Sequence, residues 1–184
     1  MTAPLVIVGA SYAGVQLAAS ARDQGFEPPI ILVGDETHAP YQRPPLSKGL
    51  LAGKTSLDQL ALRGPGFYAE QGIDLRLGTR ATALDLAARR VRLCDGSELD
   101  YGWLALATGA RCRPLDVPGA ELRGVYPLRT LDEALAVLEG IARCKRACVI
   151  GGGFIGLEVA AALTAAGAQV SVIEGRQRLL SRSF

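Results

Sequence analysis

The chain is poor in several residue types, and each shortage removes a class of chemistry. Its 184 residues include one His, one Trp and one Met. Four cysteines are present, Cys94, Cys112, Cys144 and Cys148, and no two form a C-x-x-C pair. Without clustered thiols or a second imidazole, no zinc or other metal site is expected. The thiols read as reduced cysteines of a cytoplasmic protein rather than a disulfide framework. No apolar run approaches the roughly 18–20 residues that a membrane span needs. The N-terminus has no basic stretch before its short apolar run, so no secretory signal is expected. Net charge is only +2, which implies neither a nucleic acid nor an acidic surface as partner. What is abundant is apolar material, 49% of residues, enough for a sizeable core in one domain or two small ones.

The organising stretch is Leu5-Val6-Ile7-Val8-Gly9-Ala10-Ser11-Tyr12-Ala13-Gly14. Four apolar residues read as a buried strand that runs into glycines. The helical pattern Val15-Gln16-Leu17-Ala18-Ala19-Ser20-Ala21-Arg22 then follows. A strand, a tight turn and a helix N-terminus make an anion site, because unpaired N–H groups and the helix dipole point the same way. Gly9-x-Ser11-x-x-Gly14 is the dinucleotide fingerprint with Ser at the second glycine. Ser11 is acceptable there if its hydroxyl turns away from, or hydrogen-bonds, a phosphate. The alternative is a tight strand–helix turn that merely packs.

Further along, Gly25 closes the helix and Ile30-Ile31-Leu32-Val33 reads as a second parallel strand. Residues 34–48 are loop-like, with Pro45 opening a short helix that carries Ser47 and Lys48. A short helix is expected near 67–71 and a strand at 74–77. From 81 to 106 the period becomes two: Val91 and Leu93 alternate with Arg90 and Arg92. Asp95-Gly96 marks a hairpin, so a small antiparallel meander is expected. Trp103-Leu104-Ala105-Leu106-Ala107 is the next apolar strand, and residues 110–125 read as a linker. Thr130-Leu131-Asp132-Glu133 is a capping box opening a helix to about Gly140.

Ala147-Cys148-Val149-Ile150-Gly151-Gly152-Gly153-Phe154-Ile155-Gly156 repeats the opening design with all three fingerprint glycines. Gly9 aligns with Gly151, Gly14 with Gly156 and Gly25 with Gly167. Val170-Ser171-Val172-Ile173 ends at Glu174, an acid about 20 residues beyond the first glycine, where an adenosine ribose is gripped. Glu174 would repel a 2′-phosphate and so favours NAD over NADP. In the first copy Gly34 falls at the Glu174 position, and the ribose acid would be Asp35. Cys148 lies in an apolar strand and is expected in the core. His38 reads as a loop residue.

Two dinucleotide fingerprints split by an antiparallel meander resemble the two-dinucleotide flavoprotein reductases of the pyridine nucleotide-disulfide oxidoreductase superfamily. The loop Pro40-Tyr41-Gln42-Arg43-Pro44-Pro45-Leu46-Ser47-Lys48 is similar to that of the ferredoxin reductases, the putidaredoxin reductase-like group. Ala107-Thr108-Gly109-Ala110 and Gly151-Gly152-Gly153-Phe154-Ile155-Gly156-Leu157-Glu158 match two further motifs of that group. The resemblance implies an α/β chain: a Rossmann-like FAD-binding half with a small meander over 1–114, then the start of a Rossmann-like NAD-binding unit over 115–184. It implies FAD contacts at Gly9, Ser11, Ala13, Gly14, Asp35, Arg43, Lys48, Ala81, Thr108, Gly109 and Arg129. For NAD it implies Gly151, Gly153, Gly156 and Glu174. Lys48 and Glu158 are its candidate catalytic residues, one beside the flavin and one near the nicotinamide. Lys48 has the alternative of a solvated loop cation, and Glu158 that of an acid favoured by the helix dipole.

The implied activity is electron transfer from NADH through FAD to a ferredoxin-type 2Fe–2S protein. Relatives that reduce disulfides carry a Cys pair after the first ribose strand, and no Cys precedes Cys94 here. Electrons are therefore expected to leave from the flavin. A NADH oxidase or peroxidase of the same fold, or an inactive nucleotide-binding fragment, are the alternatives. The family is roughly twice as long, so the chain is read as an N-terminal fragment.

Overall fold

The computed structural model describes residues 3–181, which group into two compact units. The units do not divide the chain at one cut. Arg43–Leu60 belongs with the residues from Arg111 onward, and the stretches on either side of it form the first unit. In chain order the strands are β1 (Leu5–Val8), β2 (Ile30–Val33), β3 (Ile73–Arg76), β4 (Ala81–Asp85), β5 (Arg90–Leu93), β6 (Glu98–Asp100), β7 (Trp103–Leu106), β8 (Arg146–Ile150) and β9 (Gln169–Ile173). The helices are α1 (Tyr12–Asp23), α2 (Leu57–Leu60), α3 (Phe67–Glu70), α4 (Leu131–Ile141) and α5 (Phe154–Ala165). A 3-10 turn spans Pro44–Ser47.

The first unit is built on a parallel sheet of order β3-β2-β1-β7. Leu5 stands opposite Ile30 on one side and Trp103 on the other. Alternation along β1 divides the core in two. Leu5 and Ile7 pack with Val15 and Ala18 of α1 and with Tyr68 of α3. Val6 and Val8 pack on the opposite face with Val91, Leu93 and Leu99 of the meander. A strand covered on both faces is apolar at every position, which is why β1 reads as an unbroken run. β3 starts one residue earlier than its pattern suggested, because Ile73 pairs with Ile30 in the core.

The meander β4-β5-β6 is antiparallel, as its period of two indicated. At its hairpin Gly96 has φ +85, and the Ser97 hydroxyl and N–H both donate to Asp95 Oδ1. Those two bonds hold the Asp95 carboxyl below the usual carboxylate range. α1 ends in a Schellman motif: Gly25 N–H donates to Arg22 and Phe26 N–H to Ala21. Arg22 then ties this helix end to the entrance of β3. Its guanidinium donates to the carbonyls of Phe26, Pro28, Gln71 and Gly72.

In the second unit β8 and β9 pair in parallel and α5 connects them. α5 closes with the same Schellman motif at Gly167 and Ala168. α4 opens on the expected capping box: Thr130 accepts from the Glu133 N–H and Glu133 reaches back to the Thr130 N–H. Residues 110–128 contain no helix or strand. The 3-10 turn begins at Pro44 rather than Pro45 and leaves Lys48 just past its end. Cys148 departs from expectation. It is exposed, because β8 shows Ala147 and Val149 inward and Arg146, Cys148 and Ile150 outward. A parallel strand hides both faces only between two layers, and among the described residues no second layer covers that face.

Candidate functional site

Each unit carries a strand-to-helix corner, and the two corners share their geometry. Gly9 N–H donates to Val33 O at 2.8 Å, and Gly151 N–H to Ile173 O at 2.8 Å. Both glycines take positive φ, +121 and +108, a conformation that L side chains rarely adopt. One turn into each helix sits the closest approach. A Cβ on Gly14 would stand 2.0 Å from Gly9 O, and one on Gly156 would stand 1.9 Å from Gly151 O. These glycines let the helices seat on their strands.

The residues between them form the open end. Ser11 is the N-cap of α1 with extended backbone and no side-chain cap bond, and no acid lies in the first turn. Gly153 takes the same place on α5, again without a side-chain cap or a first-turn acid. The first helical N–H groups have no intrahelical acceptor, so each corner presents uncapped donors and a positive dipole end. Ala13 lies in that first turn on α1. A Cβ at Gly153 would meet no atom within 4 Å, and its φ of −84 is ordinary. Neither packing nor strain requires glycine there, so the space above Gly153 is open.

The corners differ in how the second strand ends. Glu174 follows β9, and its carboxylate accepts from the Gly152 N–H at 2.8 Å and the Arg176 N–H at 2.9 Å. These bonds, Gly152 first, hold its carboxyl below the usual range. Gly152 leaves the room: a Cβ there would fall 3.2 Å from Glu174 Oε2 and 2.4 Å from Leu179 Cδ2. In the first corner the arrangement is exchanged. A Cβ on Gly34 would stand 2.6 Å from Ala10 Cβ, so only glycine fits at the Glu174 position. The acid moves to Asp35, which Arg80 grips with Nε at 3.0 Å and Nη2 at 2.7 Å.

Behind the first corner lies the end of β7. Ala107 O would stand 2.1 Å from a Cβ on Gly9, so the A-T-G motif and the glycine turn need each other. Gly109 has φ +68, and Thr108 and Gly109 are exposed. Ala81 opens β4 next to Arg80.

The second unit also brings together the two candidate catalytic residues. Lys48 Nζ stands 3.5 Å from Glu158 Oε1, and the Ser47 hydroxyl donates to Glu158 Oε2 at 2.6 Å. Lys48 is thus paired with Glu158 while its side chain stays 58% exposed, as a solvated loop cation also would. Glu158 lies beyond the first turn of α5, where the dipole's effect has fallen away, so its local partners explain it better. Arg43 donates to the Arg129 carbonyl at 2.8 Å, and the Arg129 N–H donates to Glu133 Oε2.

A family model described as pyridine nucleotide-disulphide oxidoreductase matches residues 3–184. The chain belongs to that family. Rhodocoxin reductase from Rhodococcus erythropolis is 46% identical over 180 residues, 98% of this chain and 42% of that protein. A crystal structure of a ferredoxin reductase from Rhodopseudomonas palustris aligns with TM-score 0.95 at 42% identity, covering 100% of this chain and 45% of that one. The covalent putidaredoxin reductase–putidaredoxin complex aligns at 0.93 and 43%, again covering 100% and 45%. The chain therefore spans less than half the length of the relatives it matches.

Each corner offers uncapped N–H groups, which suit an anion such as a pyrophosphate, and an acid at the tip of the neighbouring strand, a chemistry that suits ribose hydroxyls. Reasoning from sequence missed two partners, Arg80 for Asp35 and Ser47 for Glu158. They lie 45 and 111 residues from the groups they bind, and no local pattern announces such pairs. Among the described residues no helix is long and apolar enough to cross a membrane.

Proposed function

We propose that this chain is the nucleotide-binding part of a flavoprotein reductase that passes electrons from NADH through FAD to a ferredoxin-type iron–sulfur protein. One observation carries the reading: the same uncapped glycine corner occurs twice, each time with an acid at the tip of the neighbouring strand. Residues 1–114 would carry the FAD contacts other than Arg129, and residues 115–184 would hold NADH. On the FAD side, the N–H groups around Ser11, Ala13 and Gly14 hold pyrophosphate, Asp35 accepts from ribose, and Ala81, Thr108 and Gly109 offer backbone. Arg43, Lys48 and Arg129 are the cations assigned to the flavin. On the NADH side Gly151, Gly153 and Gly156 shape the pyrophosphate seat. Glu174 takes the ribose hydroxyls and repels a 2′-phosphate, which selects NADH. Glu158 is assigned to the nicotinamide end. FAD, once bound, supplies the redox chemistry.

Relatives named as rhodocoxin, ferredoxin and putidaredoxin reductases support a ferredoxin-type iron–sulfur partner; we take that partner to be of the 2Fe–2S type and this chain to be cytoplasmic. The lack of any Cys before Cys94 agrees with electrons leaving without a disulfide relay. An absorbance spectrum tests the assignment. After incubation with FAD and gel filtration, flavin bands should travel with the chain, and Lys48→Met should weaken that retention. A folded chain that emerges colourless would overturn the flavin reading.

A further inference from the structure

Glu158 divides its carboxylate between neighbouring residues of one segment. Oε2 accepts from Ser47 at 2.6 Å and Oε1 lies 3.5 Å from the Lys48 ammonium. The two donors are not equivalent. The Lys48 side chain is 58% exposed, and a pair in that setting is loose and easily screened. Ser47 is buried, with 5% exposure. Its place is stiffened by Pro44 and Pro45 in the same 3-10 turn and by the burial of Leu46. A buried hydroxyl needs a partner, and Glu158 is the partner the structure gives it.

We propose that Ser47 is a positioning residue for the nicotinamide end of the NADH site. Its hydroxyl fixes Glu158 so that the carboxylate is already aimed when the carboxamide of the nicotinamide arrives. The inference rests on the assignment of Glu158 to that end of the ligand. A glutamate side chain on a helix has several rotatable bonds, and ordering it on binding lowers affinity. A donor held in a rigid turn removes that cost beforehand. Ser47 acts through Glu158 and does not itself touch the ligand.

The test is calorimetric titration of the full chain with NAD+ and with ADP-ribose, which shares the adenosine and pyrophosphate but lacks nicotinamide. Ser47→Ala should weaken NAD+ binding about three- to tenfold and leave ADP-ribose binding unchanged. The same substitution should add nothing in a Glu158→Gln background. Ser47→Cys, which fills the volume with a poorer donor, should repeat the pattern if the alanine variant loses stability. Unchanged NAD+ affinity in both serine variants, with a loss in Glu158→Gln, would overturn the inference and keep the Glu158 assignment. Equal losses for NAD+ and ADP-ribose would also overturn it, since Ser47 would then act on the fold of the unit. No effect of Glu158→Gln on NAD+ binding would remove the assignment itself and the inference with it.

Discussion

At the scale of the residue, the glycines of the second corner do different jobs and two substitutions separate them. Gly156→Ala places a methyl 1.9 Å from Gly151 O, so α5 must shift off β8. A loss of about 2–3 kcal/mol in urea denaturation is expected. Gly153→Ala meets no atom within 4 Å and sits at an N-cap, where the change costs about 0.5 kcal/mol. Its stability should stay near that of the parent while NAD+ affinity falls at least about tenfold. Unchanged affinity would remove the pyrophosphate from this corner. Glu174 adds a pH dependence. Its carboxyl lies below the ordinary value of about 4.3 because the Gly152 and Arg176 N–H groups donate to it. A depressed native pKa gives stability that is present above the unfolded value and lost as pH falls through the native one. NAD+ binding should therefore hold from neutrality to about pH 5 and fail only in more acid solution. Glu174→Gln should remove that acid limb, which titration across pH would show.

At the scale of the element, most of the chain was legible because each element obeys a local rule. The strand–glycine–helix pattern, the capping box at Thr130 and Glu133 and the Asp95-Gly96 hairpin all depend on neighbours within a few residues. Errors occurred where distant packing decides. β3 begins at Ile73 because that side chain completes the core beside Ile30, and Cys148 faces outward because β8 is covered on one face. Arg22 illustrates a bond set that no local rule announces. It ties the end of α1 to the entrance of β3 through the carbonyls of Gln71 and Gly72. Arg22→Met keeps much of the stem but removes every donor. A loss of about 2–3 kcal/mol is expected, measured as a lower Tm; a Tm within about a degree of the parent would show the carbonyls to be satisfied by water.

At the scale of the whole molecule, the sheet β8-β9 has two strands among the described residues, and Ile150 and Ile173 are 60% and 55% exposed. An unpaired edge beside an apolar face is a template for association. Light scattering should rise with concentration for the chain by itself, and Ile150→Lys should suppress the rise. Equal scattering from parent and variant would place the association elsewhere. The relatives are more than twice as long as the stretch they share with this chain, so the assignment to NADH, FAD and an iron–sulfur partner concerns the whole protein.

The amino-acid sequence by itself determined the two corners, because turn, cap and helix chemistry act over a few residues and repeat wherever the same residues recur. It also located the acids at the strand tips, including the shift from Gly34 to Asp35. Tertiary structure alone decided the partners of those acids and of Glu158 on α5: Asp35 is gripped by Arg80, Glu174 latches Gly152, and Glu158 is shared by Ser47 and Lys48. Hydrogen bonds between side chains far apart in the chain depend on where the backbone delivers them, and that placement emerges only when strands pair and helices pack.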